Sequence, residues 1–309
     1  MKHIHIAILL PIHNGLDFTR KCLKNLEDNL SHPAVNRNDF TLVVIDDGST
    51  DGSAQWIENH YAETVILKGD GTLWWSGGIN RGIDYAISQS GTSHMLMWNN
   101  DILIEKDYLY KLFNVLNRFP ANTIIGSKIY FADCPDTIWA MGGIFNQRTG
   151  YKDMFGTSQK DSAIYDTPFE ADWLPGMGTL IPRQVIEDIG FMDDRNFPQY
   201  HGDSDFTLRA KISGYRIVAL PELRIWNDKS NSGVHHQNNF RMLIRSLHDI
   251  RSNYHIGKDI RFYSKYAGSP LAYQAIFKKY VRYLGGFLKW KILKFAGLEK
   301  KNTSKHKQC

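Results

Sequence analysis

The sequence predicts an α/β fold in which a mixed, mainly parallel sheet is flanked by helices and followed by a basic helical extension. Two observations carry this prediction. Over the first 130 residues, short apolar runs alternate with stretches of helical spacing, the rhythm of βαβ units. Beyond residue 240 the chain becomes basic and aromatic, again with helical spacing. The 309 residues, 42% hydrophobic and 22% charged, exclude a disordered or collagen-like chain.

The predicted elements of the first part follow one another in the order β-α-β-α-β-α-β-α. Buried strands are predicted at residues 4–12, 40–45, 64–67 and 94–98. Between them apolar side chains recur at helical spacing, as at Leu23, Leu26 and Leu30. Residues 131–170, rich in Gly, Asp, Tyr and Thr, are predicted to form loops over the sheet. A strand, two helices and a strand stopped by Pro221 then follow, at residues 178–181, 183–189, 203–213 and 216–220.

Charge divides the chain into two parts. Residues 241–309 hold 16 Lys+Arg against 3 Asp+Glu, so residues 1–240 carry a net charge of −8 within the total of +5. We therefore predict a main domain over residues 1–235 and a basic, aromatic-rich extension over 236–309. Residues 277–298 have the pattern of a basic amphipathic helix, which suits an anionic membrane surface. A helix docked on the main domain, or on a second copy in a homodimer, fits the same pattern.

Features that the sequence lacks restrict the possible partners and the cellular compartment of this protein. No recognition motif accompanies the basic charge, so a nucleic-acid partner is not expected. Three cysteines without a CxxC pair fit neither a disulfide scaffold nor a structural zinc site and indicate a reducing compartment. No apolar run reaches the roughly 18 residues of a transmembrane helix. We predict a cytoplasmic location, with peripheral attachment at the inner face of the membrane as the alternative.

Polar residues stand at the carboxyl ends of three predicted strands, where open α/β sheets bind ligands. They form the runs 11–14 (PIHN), 46–51 (DDGSTD) and 99–101 (NND). A carboxylate such as Asp47 at such a turn accepts hydrogen bonds from a base or a ribose, or it caps the next helix. Asp101, with a neutral oxygen ligand two residues earlier, suits a divalent ion that binds a diphosphate, or again a helix cap.

Together, these runs resemble the motifs of family 2 glycosyltransferases of the GT-A fold, and the resemblance extends over roughly residues 4–227. The first run looks like the family's opening Pro-x-Tyr-Asn, the second matches its DDGSTD, and the third stands as a variant of its DxD. Gly77 to Asn80 resembles the helix start that borders the nucleotide, and the overall look is that of the rhamnosyltransferase-like branch. The resemblance implies a nucleotide site formed by Pro11, His13, Asn14, Asp47, Gly77, Asn80 and Asn100.

The resemblance also implies a divalent ion, Mn²⁺ or Mg²⁺, at the diphosphate of the donor. Asp101 and Asn99 are the predicted ligands, with Asn99 in place of the first carboxylate of the DxD. Family members often place a metal-binding histidine soon after the strand predicted at 216–220, but the segment 221–226 has none. Asn227, Asp228 or His235 stays open as the ligand at that position.

The segment 201–210 (HGDSDFTLRA) resembles the family's Glu-Asp-x-Asp pattern followed by Arg, with Gly202 in place of the glutamate. By this resemblance, and because a carboxylate in the loop before a helix can point into a cleft, Asp203 is the predicted general base. Asp205 is expected to order Arg209 or to cap the helix, and a capped helix with an Asp–Arg pair is the structural alternative. Contacts to the donor sugar or the acceptor are predicted for Trp74, Trp75, Asp172, Trp173, Asp205 and Arg209.

The function implied by the resemblance is an inverting, metal-dependent glycosyltransferase. The expected donor is a UDP-, dTDP- or GDP-linked sugar. Because the basic tail would keep the catalyst at a membrane, the expected acceptor is a hydroxyl of a growing surface polysaccharide or glycolipid on a lipid carrier. Two other functions stay open. A nucleotidyltransferase would more naturally carry a cation-bearing glycine-rich loop after the first strand, whereas residues 11–15 hold no cation. A non-catalytic glycan-binding or scaffold protein is indicated by the departures at Asn99 and Gly202.

Overall fold

The computed structural model describes residues 4–228 and 239–296. Packing groups the chain into two units, which comprise residues 1–144 with 154–231 and residues 145–153 with 232–309. The domain boundary predicted at residue 235 lies outside the described residues.

A hairpin tip at residues 145–153 belongs to the second unit, although the sequence analysis assigned it to the main domain. The Tyr263 hydroxyl donates to the Gly150 carbonyl at 2.6 Å, and the Phe145 ring packs edge-on against Phe262. Because a buried aromatic cluster and a buried hydrogen bond form together, this segment packs with the extension.

Twelve strands are formed within the described residues. In chain order they are β1 Ile6–Ile12, β2 Phe40–Asp46, β3 Val65–Lys68, β4 His94–Met97, β5 Ile102–Ile104, β6 Thr123–Phe131, β7 Cys134–Ala140, β8 Gly143–Phe145, β9 Lys152–Met154, β10 Phe169–Glu170, β11 Thr179–Pro182 and β12 Arg216–Asn227. Ten of them build one sheet in the order β10-β12-β6-β11-β4-β1-β2-β3, with β5 paired to β12 and β7 to β6, whereas β8 and β9 pair with each other.

The sheet is mixed, as the sequence predicts. Strand β1 is parallel to both β2 and β4, β2 is parallel to β3, and β6 is parallel to β12. Strand β11 runs antiparallel to β4. The carboxyl ends of β1, β2 and β4 therefore share one edge, and the beginning of β11 lies at that same edge.

Six helices accompany this sheet in the first unit. They are α1 Leu16–Leu30, α2 Ser53–His60, α3 Trp74–Ser88, α4 Tyr108–Val115, α5 Arg183–Ile189 and α6 Gly202–Ile212. Alternate residues of β1 enter two separate cores: Ile8 lies in one with Leu23 of α1, and Leu9 lies in the other with Ile79 of α3. Since helices cover both faces, the central strands are apolar at nearly every position.

Residues 131–170 contain strands that the sequence analysis did not predict. Strand β7 pairs antiparallel with β6, and β8, β9 and β10 follow it. The pairing of β7 with β6 shifts register twice, and β7 begins with exposed polar residues. The prediction of loops was wrong because short strands with irregular register show no regular alternation of apolar and polar residues.

Strand β12 continues through Pro221 to Asn227, so the predicted stop at Pro221 was also wrong. Its register against β6 shifts between Leu220 and Arg224. Proline has no N–H to donate, and the irregularity leaves Pro221 outside the regular ladder. The longer strand brings the chain to Asp228, which lies at the same edge of the sheet as the carboxyl end of β4.

The second unit is helical, in agreement with the prediction for the extension. Its helices are α7 Phe240–Ser246, α8 Ile256–Tyr266 and α9 Tyr273–Phe295. The predicted break at residues 268–270 separates α8 from α9. Among the described helices, none combines the length and the apolar character needed to cross a bilayer.

Candidate active site

The loops after β1 and β2 are joined by side chains from the first and second sequence motifs. His13 Nδ1 lies 2.6 Å from the Asp47 carbonyl oxygen. The Asn14 backbone N–H donates to Ser49 Oγ at 2.8 Å, and Asn14 Oδ1 accepts from the Thr50 N–H at 2.9 Å. Three residues that were predicted to bind the nucleotide are thus brought together at one edge of the sheet.

The Asp47 carboxylate is buried and orders the loop that leads into α3. Its Oδ1 accepts from the Gly71 N–H at 2.8 Å, and its Oδ2 accepts from the Trp74 N–H at 3.0 Å. Helix α3 then passes close to Pro11, since a Cβ on Gly78 would lie 2.9 Å from the Pro11 Cβ. Asp47 therefore shapes the predicted nucleotide site through the backbone of its neighbouring loop.

Asp51, the last residue of the second motif, holds the beginnings of two helices. Its Oδ2 accepts from the Leu16 N–H of α1 at 2.9 Å, and its Oδ1 accepts from Ser53 Oγ of α2 at 2.6 Å and from the Ser53 N–H at 3.1 Å. One carboxylate satisfies unpaired donors at both helix N-termini, which favour negative charge.

We expect Asp51→Ala to lower the free energy of unfolding by about 1–2 kcal/mol, because two helix starts lose an acceptor. Urea unfolding monitored by circular dichroism measures this loss. Asp51→Asn is the matched control and should lose less, since its amide oxygen still accepts one hydrogen bond. Equal stability of Asp51→Ala and the wild type would contradict the shared cap.

The residues of the third motif point to three different places. Asn99 Oδ1 accepts from the indole N–H of Trp75 at 2.9 Å. Asn100 Nδ2 donates to Thr19 Oγ1 of α1 at 3.1 Å, so Asn100 ties the loop to a helix. The Asp101 side chain has a buried Oδ1 that accepts no hydrogen bond.

The surroundings of Asp101 disfavour its charge unless a cation is near. Burial raises the pKa of Asp101 to about 6, and the charge of Asp228 adds to this increase. The Asp228 N–H donates to the Asp101 carbonyl at 2.9 Å, which fixes the two residues side by side. A buried carboxylate oxygen without a donor, next to a second carboxylate, is the arrangement that a divalent cation stabilises.

The donor set fits a hard divalent ion that takes part of its shell from its substrate. Within the described residues, no three His, Cys, Asp or Glu side chains cluster as a metal site. Asp101 and Asp228 are two oxygen donors, and Mg²⁺ sites in proteins often use one or two carboxylates together with substrate phosphates. Asn227 is buried at the end of β12, and its carbonyl accepts from the Ala132 N–H. His235 lies outside the described residues.

Trp75 connects the third motif with the segment before β11. Its ring lies against Gly176 so closely that a Cβ there would come within 2.2 Å of the indole. The Gly176 N–H donates to Asp203 Oδ2 at 3.1 Å, and the Ser204 N–H donates to Asp203 Oδ1 at 2.7 Å. Contacts thus run without a gap from Asn99, through Trp75 and Gly176, to Asp203.

One of the two departures from the family motifs, Gly202, has a packing reason. A Cβ on Gly202 would lie 2.1 Å from Ser76 Oγ of α3, so a side chain here would have to displace the buried hydroxyl that donates to the Phe197 carbonyl. Asn99 supplies the neutral oxygen that accepts the Trp75 N–H. The close packing at Gly202 therefore weakens the argument that this substitution marks a degenerate site.

Other predicted contact residues stabilise the walls of the site. Asn80 exchanges two hydrogen bonds of 2.9 Å with the Met192 backbone, and Gly77 is buried beside Leu73. Arg209 donates to the carbonyls of Ile189 and Phe191.

The two predicted contact residues before β11 also have structural partners. Asp172 forms an ion pair with Lys211 at 3.1 Å. The Trp173 indole N–H donates to the Ile144 carbonyl at 3.3 Å. Asp205, one turn before Arg209 on α6, is fully buried.

Strained backbone marks the same loops. In the described part of the chain, four residues other than glycine have positive φ. Two of them, Asn14 and His201, stand in these loops, and a third, Trp74, is the first residue of α3. Left-handed backbone costs a residue with a side chain roughly 1–2 kcal/mol. Such strain often accompanies functional sites.

The structure adds residues that the sequence motifs did not single out. Gln199 Oε1 accepts from the Trp75 backbone N–H at 3.3 Å. Burial raises the pKa of Tyr200, and the charge of Asp101 contributes. The sequence signal for both was their position directly before the segment that contains Asp203.

Comparisons with known proteins agree with this architecture. The family model for glycosyl transferase family 2 matches residues 7–171. The galactofuranosyltransferase GlfT2 of Mycolicibacterium smegmatis is 23% identical over 284 residues, which cover 79% of this chain and 41% of that protein. The chain thus spans about two fifths of the length of this relative.

Solved structures show the same GT-A fold. Staphylococcus aureus TarS, residues 1–349, superposes with a TM-score of 0.50 at 16% identity, covering 73% of this chain and 61% of that chain. The mannosyltransferase PcManGT from Pyrobaculum calidifontis, in complex with GDP-Man and Mn²⁺, superposes with a TM-score of 0.52 at 15% identity, covering 90% and 69%. With its family motifs at one sheet edge and more than half of its length matched, this chain belongs to glycosyl transferase family 2.

Proposed function

We propose that this protein transfers a sugar from a nucleoside-diphosphate sugar to an acceptor hydroxyl, with inversion at the anomeric carbon. The observation that carries the proposal is the contact path from Asn99, two residues before Asp101, through Trp75 and Gly176 to Asp203. It connects a candidate cation site with a candidate base at one edge of the sheet. The solved PcManGT complex, with GDP-Man and Mn²⁺, supports a donor and an ion of these classes.

On the donor side, Asp101 and Asp228 would hold Mn²⁺ or Mg²⁺. The bound ion supplies positive charge that neutralises the diphosphate leaving group. Trp75 orients the Asn99 side chain beside this pair through its indole N–H. Asp47 and the tied His13–Asn14 loop shape the surface that receives the nucleotide.

On the acceptor side, Asp203 takes the proton of the attacking hydroxyl. As the acceptor oxygen bonds to the anomeric carbon, the bond from that carbon to the diphosphate oxygen breaks, and the proton moves to an Asp203 oxygen. The N–H groups of Gly176 and Ser204 orient the carboxylate, so less entropy is lost at the moment of transfer. A single displacement of this kind inverts the configuration.

The donor belongs to the UDP-, dTDP- or GDP-linked sugars, and the rhamnosyltransferase-like branch stays a prediction. The acceptor is a growing surface polysaccharide or glycolipid. Support for a lipid-linked acceptor comes from the basic, aromatic-rich extension, which suits a catalyst that works beside a membrane.

Thermal shift against UDP-, GDP- and dTDP-sugars, each with and without Mn²⁺, tests the proposal. Near 100 times its Kd a ligand stabilises the folded protein by about 2.7 kcal/mol, which raises the melting temperature by several degrees. We expect one nucleotide class to do so only with Mn²⁺. Asp101→Ala should remove this shift, whereas Asp84→Ala, an exposed position on α3, should keep it.

The possible contrary results are distinct. A shift that persists in Asp101→Ala would remove Asp101 from the metal site. No shift with any nucleotide sugar would favour the non-catalytic glycan-binding or scaffold function. A shift with nucleoside triphosphates alone would favour the nucleotidyltransferase.

A further inference from the structure

Helix α9 presents two faces of different character. One face is buried within the second unit and includes Ile276, Tyr280 and Phe287. The Tyr280 hydroxyl donates to Asp259 Oδ2 at 2.7 Å, and the Tyr283 hydroxyl lies 2.6 Å from Ser246 Oγ. This face explains how the helix is held in the unit.

A second face of α9 carries large apolar side chains that are open to solvent. They are Phe277, Val281, Leu284, Leu288, Ile292 and Phe295, between 38% and 97% exposed. At about 3.6 residues per turn, they fall within an arc of about 80° along the helix. We name these six residues the apolar stripe. A contiguous exposed patch of this kind marks an interaction surface.

Positive charge accompanies the apolar stripe. Helix α9 has no acidic residue, and its six cations are Lys278, Lys279, Arg282, Lys289, Lys291 and Lys294. Lys279 is neutralised by Asp259 at 2.5 Å. Lys278, Arg282 and Lys289 project from the border of the apolar stripe that faces away from the buried face.

We propose that the apolar stripe binds the surface of an anionic phospholipid bilayer, with α9 lying parallel to the membrane plane. The apolar side chains enter the boundary between headgroups and acyl chains, and the flanking lysines and arginine contact lipid phosphates. The residues 297 and 298 of the predicted amphipathic segment lie outside the described residues.

Charge favours this partner over a second copy of the chain. Two α9 helices that met along their apolar stripes would bring two sets of bordering cations together, with no carboxylate on either helix to pair with them. An anionic bilayer supplies the opposite charge.

Sedimentation of the full chain with vesicles tests this inference without any catalytic step. Vesicles of phosphatidylcholine with about 30% phosphatidylglycerol should bind the protein, and pure phosphatidylcholine should bind it far more weakly. Binding to the anionic vesicles should fall at about 0.5 M NaCl, because salt screens charge.

Matched variants separate the apolar and the ionic contributions. Ile292→Gln should weaken partitioning about tenfold. Ile164→Gln is its control, because Ile164 is also 68% exposed but lies in the first unit. Lys289→Gln should weaken partitioning about fivefold, whereas Lys24→Gln on α1 should leave it unchanged.

Two results would overturn the proposal. One is that the wild type binds both vesicle types equally and that Ile292→Gln binds them as well as the wild type does. The other is a wild-type protein that does not bind anionic vesicles but forms a concentration-dependent dimer, which Ile292→Gln dissociates. This result would assign the apolar stripe to a second copy of the chain. Circular dichroism of each variant confirms that the helices are intact. If the wild-type protein bound anionic vesicles but transferred no sugar, the result would count against the catalytic proposal alone.

Discussion

Asp203→Asn is expected to lower kcat by about 10³-fold while leaving the Kd of the donor unchanged, because a positioned general base contributes roughly 10²–10⁴-fold. The amide cannot take the proton of the acceptor hydroxyl. Its oxygen can still accept from the Gly176 N–H or the Ser204 N–H, so the loop before β11 is expected to stay in place. Single-turnover assays with saturating donor measure the chemical step, and calorimetric titration measures donor binding.

The control for this variant is Asp84→Asn, which makes the same chemical change at an exposed position of α3. It should retain wild-type kcat. If Asp203→Asn kept the wild-type rate, the base assignment would be lost. If it lost donor binding together with the rate, Asp203 would act in the donor site rather than on the acceptor.

Asp101→Asn is expected to abolish Mn²⁺-dependent donor binding and, in metal-free buffer, to stabilise the fold by about 3 kcal/mol at neutral pH. The reason is that the charged carboxylate has a buried oxygen without a hydrogen-bond donor and lies beside Asp228. Asparagine removes the charge at nearly the same size. A gain in stability with loss of ligand binding is the behaviour of a residue selected for a site rather than for packing.

The pH dependence of this gain follows from the raised pKa of Asp101. The pKa is about 6 in the folded protein, against the ordinary aspartate value of 3.8, because burial disfavours the charged form. Between these two values the folded state binds more protons than the unfolded state, so its stability falls as pH rises. The difference between Asp101→Asn and the wild type should therefore be small below pH 3.8, grow toward pH 6 and level off above it.

Urea unfolding of both proteins in the presence of a chelator, at a series of pH values, measures this difference. Asp84→Asn again provides the comparison, with no expected pH-dependent gain. A stability difference that stays constant across the range would contradict the buried-charge explanation. Retained Mn²⁺-dependent donor binding in Asp101→Asn would remove this residue from the cation site.

Much of the first unit was predictable because both faces of its central strands are buried. Continuous apolar runs identified β1, β2, β3 and β4 within one or two residues of their observed bounds. Helix α5 was predicted with its observed limits, and the helical character of the extension was also confirmed. Strands β7 to β10 were missed, since they are short, partly exposed and irregular in register.

The sequence by itself determined which chemistry-bearing residues stand at strand ends and that these ends meet. DDGSTD after β2, the segment 99–101 after β4 and the segment 201–210 all pointed to one family and one kind of reaction. Periodicity shows which element a residue belongs to, and parallel pairing then places the carboxyl ends of strands together.

Only the tertiary structure decided which of these side chains face one another. The extension of β12 through Pro221 brings Asp228 beside Asp101. The segment before the antiparallel β11 brings Gly176 to the Trp75 ring, and Gly176 in turn donates to Asp203. These contacts join residues far apart in the chain, and their distances depend on packing that no local pattern encodes. The exposed side of α9 likewise became known only when its buried side was seen to be occupied.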